Sequence, residues 1–291
     1  MPRVLKSADW FHSDGFPIAV ERREPQGEFE RHTHEFAELV IVTGGRALHV
    51  TGKEAWKLAR GDVFVITGRR THEYRDLEDL RLVNVLFQPR KLHLDLYDLR
   101  TLPGYHALFT LEPTWRQRHQ FQSRLRITPR DLAVVGGLID QLDGELRERA
   151  AGFGFLATAL FMQLVGYLSR CYGRARNRDS RSLLRIAETI THLETHSTEP
   201  IRLDDLARQA GMSKRSFIRA FKEATGSPPI AYLIQLRVDR AATLFRQGAD
   251  NVTEVAFQVG FDDSNYFSRQ FRRALGMSPR AYRKTHLGRL R

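Results

Sequence analysis

Two groups of side chains in this sequence could do chemistry. The first is His32-x-His34-x3-Glu38, joined further along by His72. Side chains alternate along a strand, so His32 and His34 would point the same way if this stretch is extended. Imidazole and carboxylate donors together suit a first-row divalent metal. The same polar groups can instead hydrogen-bond the hydroxyls of a small ligand or close a barrel mouth. The second group is two polar sets: Lys214, Arg215 and Arg219, then Ser264, Asn265, Ser268 and Arg269. On a helix lying in the major groove of double-stranded DNA, Arg reads guanine and Asn reads adenine.

The first group needs a sheet. Between about 16 and 90, short β-branched runs such as Glu38–Thr43, Arg46–Val50, Asp62–Ile66 and Leu80–Phe87 read as strands. Gly44-Gly45 and Thr51-Gly52 read as turns between them. Closely spaced short strands predict a small barrel or jelly roll. From about 129 the period changes. Leu132, Val135, Leu138, Ile139, Leu142 and Leu146 recur at three- and four-residue steps over 131–149, which predicts an amphipathic helix, and a second apolar helix covers about 154–171. The polar, aperiodic stretch around Gly173–Arg181 reads as a linker. The fold class is α+β: residues 1–173 form a β-rich unit ending in two long helices, 174–182 a linker, and 183–291 an all-α domain.

The second group sits in a duplication. Leu206–Gly226 and Val255–Gly276 match, pairing Ala207 with Ala256, Gly211 with Gly260, Phe217 with Phe267, Phe221 with Phe271 and Gly226 with Gly276. One extra residue enters the second copy after Gly260. Each copy has the parts of a helix-turn-helix. Asp204 and Asp205 suit the positive start of one helix, and Asn251 with Glu254 makes a capping box for its counterpart. Gly211 and Gly260 allow a positive φ in the turn. The paired phenylalanines bury one face of the following helix and leave the polar residues on the other. A helix of about 18 residues between the copies would span about 27 Å, which suits recognition helices one DNA turn apart.

Bulk properties agree. Of the net charge of +12 on 291 residues, about +9 lies in 176–291, where 21 Lys/Arg face 12 Asp/Glu. That is the footprint of a polyanion binder. The single Cys171 excludes an internal disulfide and points to a reducing compartment. The first 15 residues lack the apolar run of a signal peptide. The most apolar stretch, Phe153–Leu168, falls short of a membrane span and reads as a buried or dimer-forming helix. Arg22-Arg23 and Arg69-Arg70 read as solvated surface. Trp10, Trp56 and Trp115 read as packing residues.

The segment 206–226 and above all Glu254-Val-Ala-Phe-Gln-Val-Gly-Phe-Asp-Asp-Ser-Asn-Tyr-Phe-Ser-Arg-Gln-Phe271 closely resemble the AraC/XylS family of transcription regulators. The resemblance implies that both helix-turn-helix units grip DNA, with base-reading positions at Arg215, Ile218 and Arg219 and at Asn265, Tyr266 and Arg269. It also implies a cupin-like β-barrel sensor. There His32–Val42, Gly61–Phe64 and Leu82–Phe87 most resemble the rhamnose-responsive regulators.

The resulting expectation is a cytoplasmic, homodimeric activator that binds an operator and responds to a sugar, with no cofactor and no catalysis. RNA polymerase is a possible further partner; no membrane is expected. His32, His34, Glu38 and His72 would hold the effector. The alternative is a metal-dependent cupin enzyme fused to a DNA-binding module, because those four residues match cupin metal ligands. The second cupin motif, however, wants Pro where Thr67 stands and Asn where Asp76 stands.

Overall fold

The β-branched runs of the N-terminal half collect into one sheet. The computed structural model describes residues 2–52, 54–67, 71–92, 98–115, 125–174, 178–249 and 251–287. Its strands are β1 (Arg3–Leu5), β2 (Ile18–Arg23), β3 (His32–His34), β4 (Ala37–Thr51), β5 (Glu54–Ala59), β6 (Asp62–Ile66), β7 (His72–Phe87) and β8 (Leu125–Arg126). A short helix α1 (Ser7–Trp10) follows β1. Strand order is β1-β3-β7-β4-β6-β8, with β2 also on β7 and β5 on β4. Among the described residues the ladder does not close on itself, so the barrel expected from sequence is an open sheet. One apolar cluster, centred on Val40, Val42, Leu58, Phe64, Leu80 and Leu82, fills one part of it.

Strand β4 corrects one reading. Gly44-Gly45 is not a turn between strands but an irregularity inside a single 15-residue strand, where the register against β7 slips at Val42/Gly44, Gly44/Arg46 and Arg46/Leu48. Gly45 has φ +68°, and a Cβ there would stand 1.9 Å from the Asp79 carbonyl oxygen. The glycine therefore serves a close backbone approach at a bulge, which bends the strand without ending it.

Short helices α2 (Pro103–Tyr105) and α3 (Glu112–Trp115) lead to the long pair α4 (Pro129–Glu148) and α5 (Phe153–Gly173). The Thr128 hydroxyl caps α4 by accepting from the Asp131 amide at 3.1 Å. Leu132, Val135, Leu138, Ile139 and Leu142 are buried, as their spacing predicts. Helix α5 runs further than its apolar stretch, because Ser169–Gly173 continue it. It is thus long and apolar enough to cross a membrane, which corrects the reading that it falls short. One face is nonetheless used inside this unit: Phe161 meets Phe87 of β7 with ring centroids 5.1 Å apart.

Arg22 of β2 is not simply solvated surface. It bonds Asp140 at 2.6 Å and Asp143 at 3.3 Å, both on α4. Arg69-Arg70 lie outside the described residues, as does the side chain of Trp115. Trp10 and Trp56 pack beside buried clusters.

The chain divides into two compact units, Met1–Ala187 and Glu188–Arg291. Helix α6 (Arg178–Thr195) begins inside the stretch read as a linker, of which 175–177 lie outside the described residues. Arg is a good helix former, and a polar turn can lead a helix without showing apolar periodicity. The rest of the second unit is α7 (Leu203–Gln209), α8 (Lys214–Thr225), α9 (Pro229–Arg246), α10 (Val252–Gln258), α11 (Ser264–Leu275) and α12 (Pro279–Leu287). Helix α9 has 18 residues and buries Leu233, Val238, Ala241, Ala242 and Phe245.

Candidate nucleic-acid interface and effector site

The two turns of the second unit are built by the same bonds. In the first, Ala210 N donates to Leu206 O, Gly211 N to Arg208 O and Met212 N to Ala207 O; in the second, Val259 N donates to Val255 O, Gly260 N to Phe257 O and Phe261 N to Ala256 O. Gly211 and Gly260 take φ of +64° and +96°. The extra residue of the second copy falls between turn and cap. Ser213 caps α8 by accepting from the Ser216 amide, whereas Asp263 caps α11 by accepting from the Asn265 amide at 2.8 Å. Asp262 is therefore the insertion. The Asn251 side chain accepts from the Thr253 and Glu254 amides and starts α10. Gly226 and Gly276 end α8 and α11 in the left-handed conformation.

Each following helix buries its phenylalanine pair completely: Phe217 and Phe221 in α8, Phe267 and Phe271 in α11. This orients the opposite faces. Lys214, Arg215 and Arg219 are exposed on α8, with Ile218 half-buried beside them. On α11 Asn265, Tyr266 and Arg269 are exposed, while Ser264 and Ser268 are half-buried. With Asp262 taken out, Arg215 aligns with Asn265 and Arg219 with Arg269. Local partners sort these residues. Lys214 reaches Asp204 at 3.0 Å. The Ser268 hydroxyl donates to the Ser264 carbonyl at 2.9 Å. The Arg269 guanidinium lies 5.7 Å from the Tyr266 ring centre. Each face offers a cationic head on a rigid helix, the form of a major-groove reader.

In the first unit the sheet brings three of the four sensor residues together. His32 pairs with His72 across β3 and β7, and Thr51 of β4 pairs with His72 on its other side. Glu38 Oε2 stands 3.4 Å from His34 Nε2 and 3.5 Å from His72 Nε2. The three donor atoms lie within 4.8 Å of one another, and all three residues are buried. His32 stands beside this set, its ring 4.2 Å from that of His72.

Backbone carbonyls fix two of the rings. His34 Nδ1 meets the Phe36 carbonyl at 2.5 Å, and His32 Nδ1 meets the Glu30 carbonyl at 2.8 Å. A carbonyl oxygen only accepts, so each Nδ1 carries a hydrogen. Burial, joined by repulsion from His72, lowers His32 to about 4 against the bond to Glu30. Burial alone would raise the Glu38 carboxyl, but hydrogen bonding and charge from His34 and His72 outweigh it and hold the group well below the ordinary carboxylate range.

A pocket opens beside this cluster, lined also by Trp10, Glu21, Arg23, Gln26, Tyr74 and Asn84. Its cavity volume is about 30 Å³. Sequence reasoning missed Tyr74 and Asn84. It also missed His49, which is buried with its ring 5.7 Å from that of His72. The available signal was a polar residue recurring in an otherwise apolar strand, as Asn84 does between Val83 and Val85.

Comparison with known proteins agrees with both halves. Residues 206–285 match the helix-turn-helix domain family, and residues 17–165 match the AraC-like ligand binding domain family. The HTH-type transcriptional activator RhaR of Klebsiella pneumoniae is 33% identical over 284 residues, covering 97% of this chain and 96% of its own length. RhaR of Escherichia coli K12 is 33% identical over 282 residues, with 97% and 96% covered. Among solved structures, the DNA-binding domain of AdpA in complex with a target DNA is 38% identical, covering 36% of this chain and 95% of that one, with a TM-score of 0.35.

Proposed function

The chain belongs to the AraC family of transcription regulators, and on that premise we propose that it is a sugar-responsive activator working as a homodimer. The observation that carries this is the likeness to RhaR activators, which runs through 97% of the chain rather than through the DNA-binding unit alone. The two recognition helices would enter successive major grooves of a double-stranded operator. Arg215, Ile218 and Arg219 and then Asn265, Tyr266 and Arg269 would face the bases. Lys214, Ser264 and Ser268 would stand at the edge of that surface and contact phosphates.

The effector, a sugar such as rhamnose, would enter the pocket beside His32, His34, Glu38 and His72. Glu21, Arg23, Gln26, Tyr74 and Asn84 beside the histidines give the pocket a polar lining suited to sugar hydroxyls, and its walls would have to part to admit the ring. Binding would change how the DNA-binding units engage their half-sites, and RNA polymerase would be the downstream partner. The protein would act in the cytoplasm, without catalysing a reaction. The test uses the full chain, a panel of sugars and a thermal melt. L-Rhamnose at a hundredfold excess over its Kd should stabilise the first unit by about 2.7 kcal/mol. A melt unchanged by every sugar would sink the effector reading.

The dimer reading rests on an apolar surface of α4 and α5. Phe155 is 80% exposed, and Val134 and Leu156 are also open. A large aromatic left in water on a helix is the kind of residue that anchors an interface. Phe155→Glu should weaken dimerisation by about 2 kcal/mol, roughly thirtyfold. Sedimentation at micromolar concentration reads this directly. A dimer of unchanged affinity would place the interface elsewhere.

A further inference from the structure

We propose that His34, Glu38 and His72 hold a first-row divalent cation, and that its remaining coordination positions receive hydroxyl oxygens of the effector. The second half rests on the effector reading above; the first stands on geometry.

The geometry starts with proton positions. His34 Nδ1 gives its hydrogen to the Phe36 carbonyl at 2.5 Å. In the neutral ring Nε2 then carries a lone pair, and that atom faces Glu38 Oε2 at 3.4 Å. A lone pair pointed at a buried carboxylate repels it. Something positive must lie between them: a second proton on the ring, or a cation. The carboxylate meets a second imidazole, His72 Nε2, at 3.5 Å.

The spacing favours a cation. Two donors bound about 2.1 Å from one tetrahedral zinc-like ion stand about 3.4 Å apart. Both Glu38–His edges have that length, somewhat long for a charge-assisted hydrogen bond of about 2.7–2.9 Å; all three donors lie within 4.8 Å of one another, so the two imidazoles need close only slightly on an ion. The Nδ1–H···O=C bond is also the usual outer contact that aims a metal-binding imidazole. Imidazole and carboxylate select first-row divalent ions. The space as it stands, about 30 Å³ for water-sized occupants, suits an ion with a water. Three protein ligands leave positions open, and vicinal hydroxyls of a sugar can chelate there.

Cobalt(II) is the probe. Full-length protein loaded with Co2+ and passed through gel filtration should retain about one ion per chain, with the intense visible bands of a low-coordinate nitrogen- and oxygen-ligated centre. Glu38→Gln, which keeps the side chain's shape, should weaken retention at least about tenfold. Far-UV circular dichroism checks that this variant folds; if it does not, the wild-type cobalt spectrum decides. His192 of α6 and His196 just beyond its end stack with ring centres 4.5 Å apart and could also bind cobalt. His192→Ala should therefore leave the bands intact. Failure of wild type to retain cobalt, or bands lost in His192→Ala and kept in Glu38→Gln, overturns the site.

Titration with L-rhamnose tests the second half. Affinity should fall at least tenfold after chelation and return with Co2+. Rhamnose binding that ignores chelation overturns the coordination role and leaves the sugar reading standing. Retained cobalt with no sugar bound overturns the coordination role and the sugar reading together, while the metal site stands.

Discussion

Arg219→Ala and Arg269→Ala should each weaken binding to a selected operator by about 1–3 kcal/mol, roughly 5- to 150-fold, and relax the preference at one base position. The two arginines occupy the same place in the two copies, two residues beyond the buried Phe217 and Phe267. Burial of those rings fixes the roll of each helix, so the arginines project from a rigid surface. Arg269 is further steadied by the Tyr266 ring 5.7 Å away. A bidentate Arg–guanine contact carries sequence information; a phosphate contact does not. Lys214→Ala therefore provides the contrast. Lys214 shares its charge with Asp204 at the surface. Its loss should weaken binding evenly across sequences and reduce the salt slope by about one. Competition by operators altered at single bases separates the two behaviours. Wild-type discrimination in both arginine variants would remove them from the recognition surface.

Gly260→Ala should destabilise the second unit by roughly 2–5 kcal/mol, combining overpacking with a left-handed backbone. At φ +96° an added Cβ would stand 2.7 Å from the Thr198 carbonyl oxygen and 2.9 Å from Thr198 Cα. Both obstacles are backbone, so neither can rotate away. Gly226→Ala is the control, because it shares a positive φ of +82° but meets nothing within 4 Å. It should cost only about 1–2 kcal/mol. All three tryptophans, Trp10, Trp56 and Trp115, precede residue 188. Fluorescence thus follows the first unit, and helical circular dichroism in urea is the better signal for the second. Equal losses in the two variants would show that the Thr198 contact costs nothing.

The second unit was legible in the sequence because its signal is given twice. Each glycine, cap and phenylalanine pair of one copy checks the other, and the single insertion resolves to Asp262. The sensor was less legible. Several of its strands are buried on both faces: β6 is buried at every position from Asp62 to Ile66. Alternation then vanishes, and register cannot be read from it. Gly44-Gly45 misled for a related reason. Glycine marks both turns and bulges, and only the opposing strand's approach at Asp79 distinguishes them. The histidine and glutamate spacing found the polar cluster. It could not show that Glu38 stands between His34 and His72 while His32 stands beside them, since that depends on pairing between β3, β4 and β7.

Strand β2 carries a mechanical consequence of its alternation. Glu21 and Arg23 line the pocket, while Arg22 between them turns the other way and holds Asp140 and Asp143 of α4. An occupant bearing on the inward pair would bear on the same strand that Arg22 ties to the two carboxylates of α4. One strand thus joins the wall of a pocket on one side to a long helix on the other.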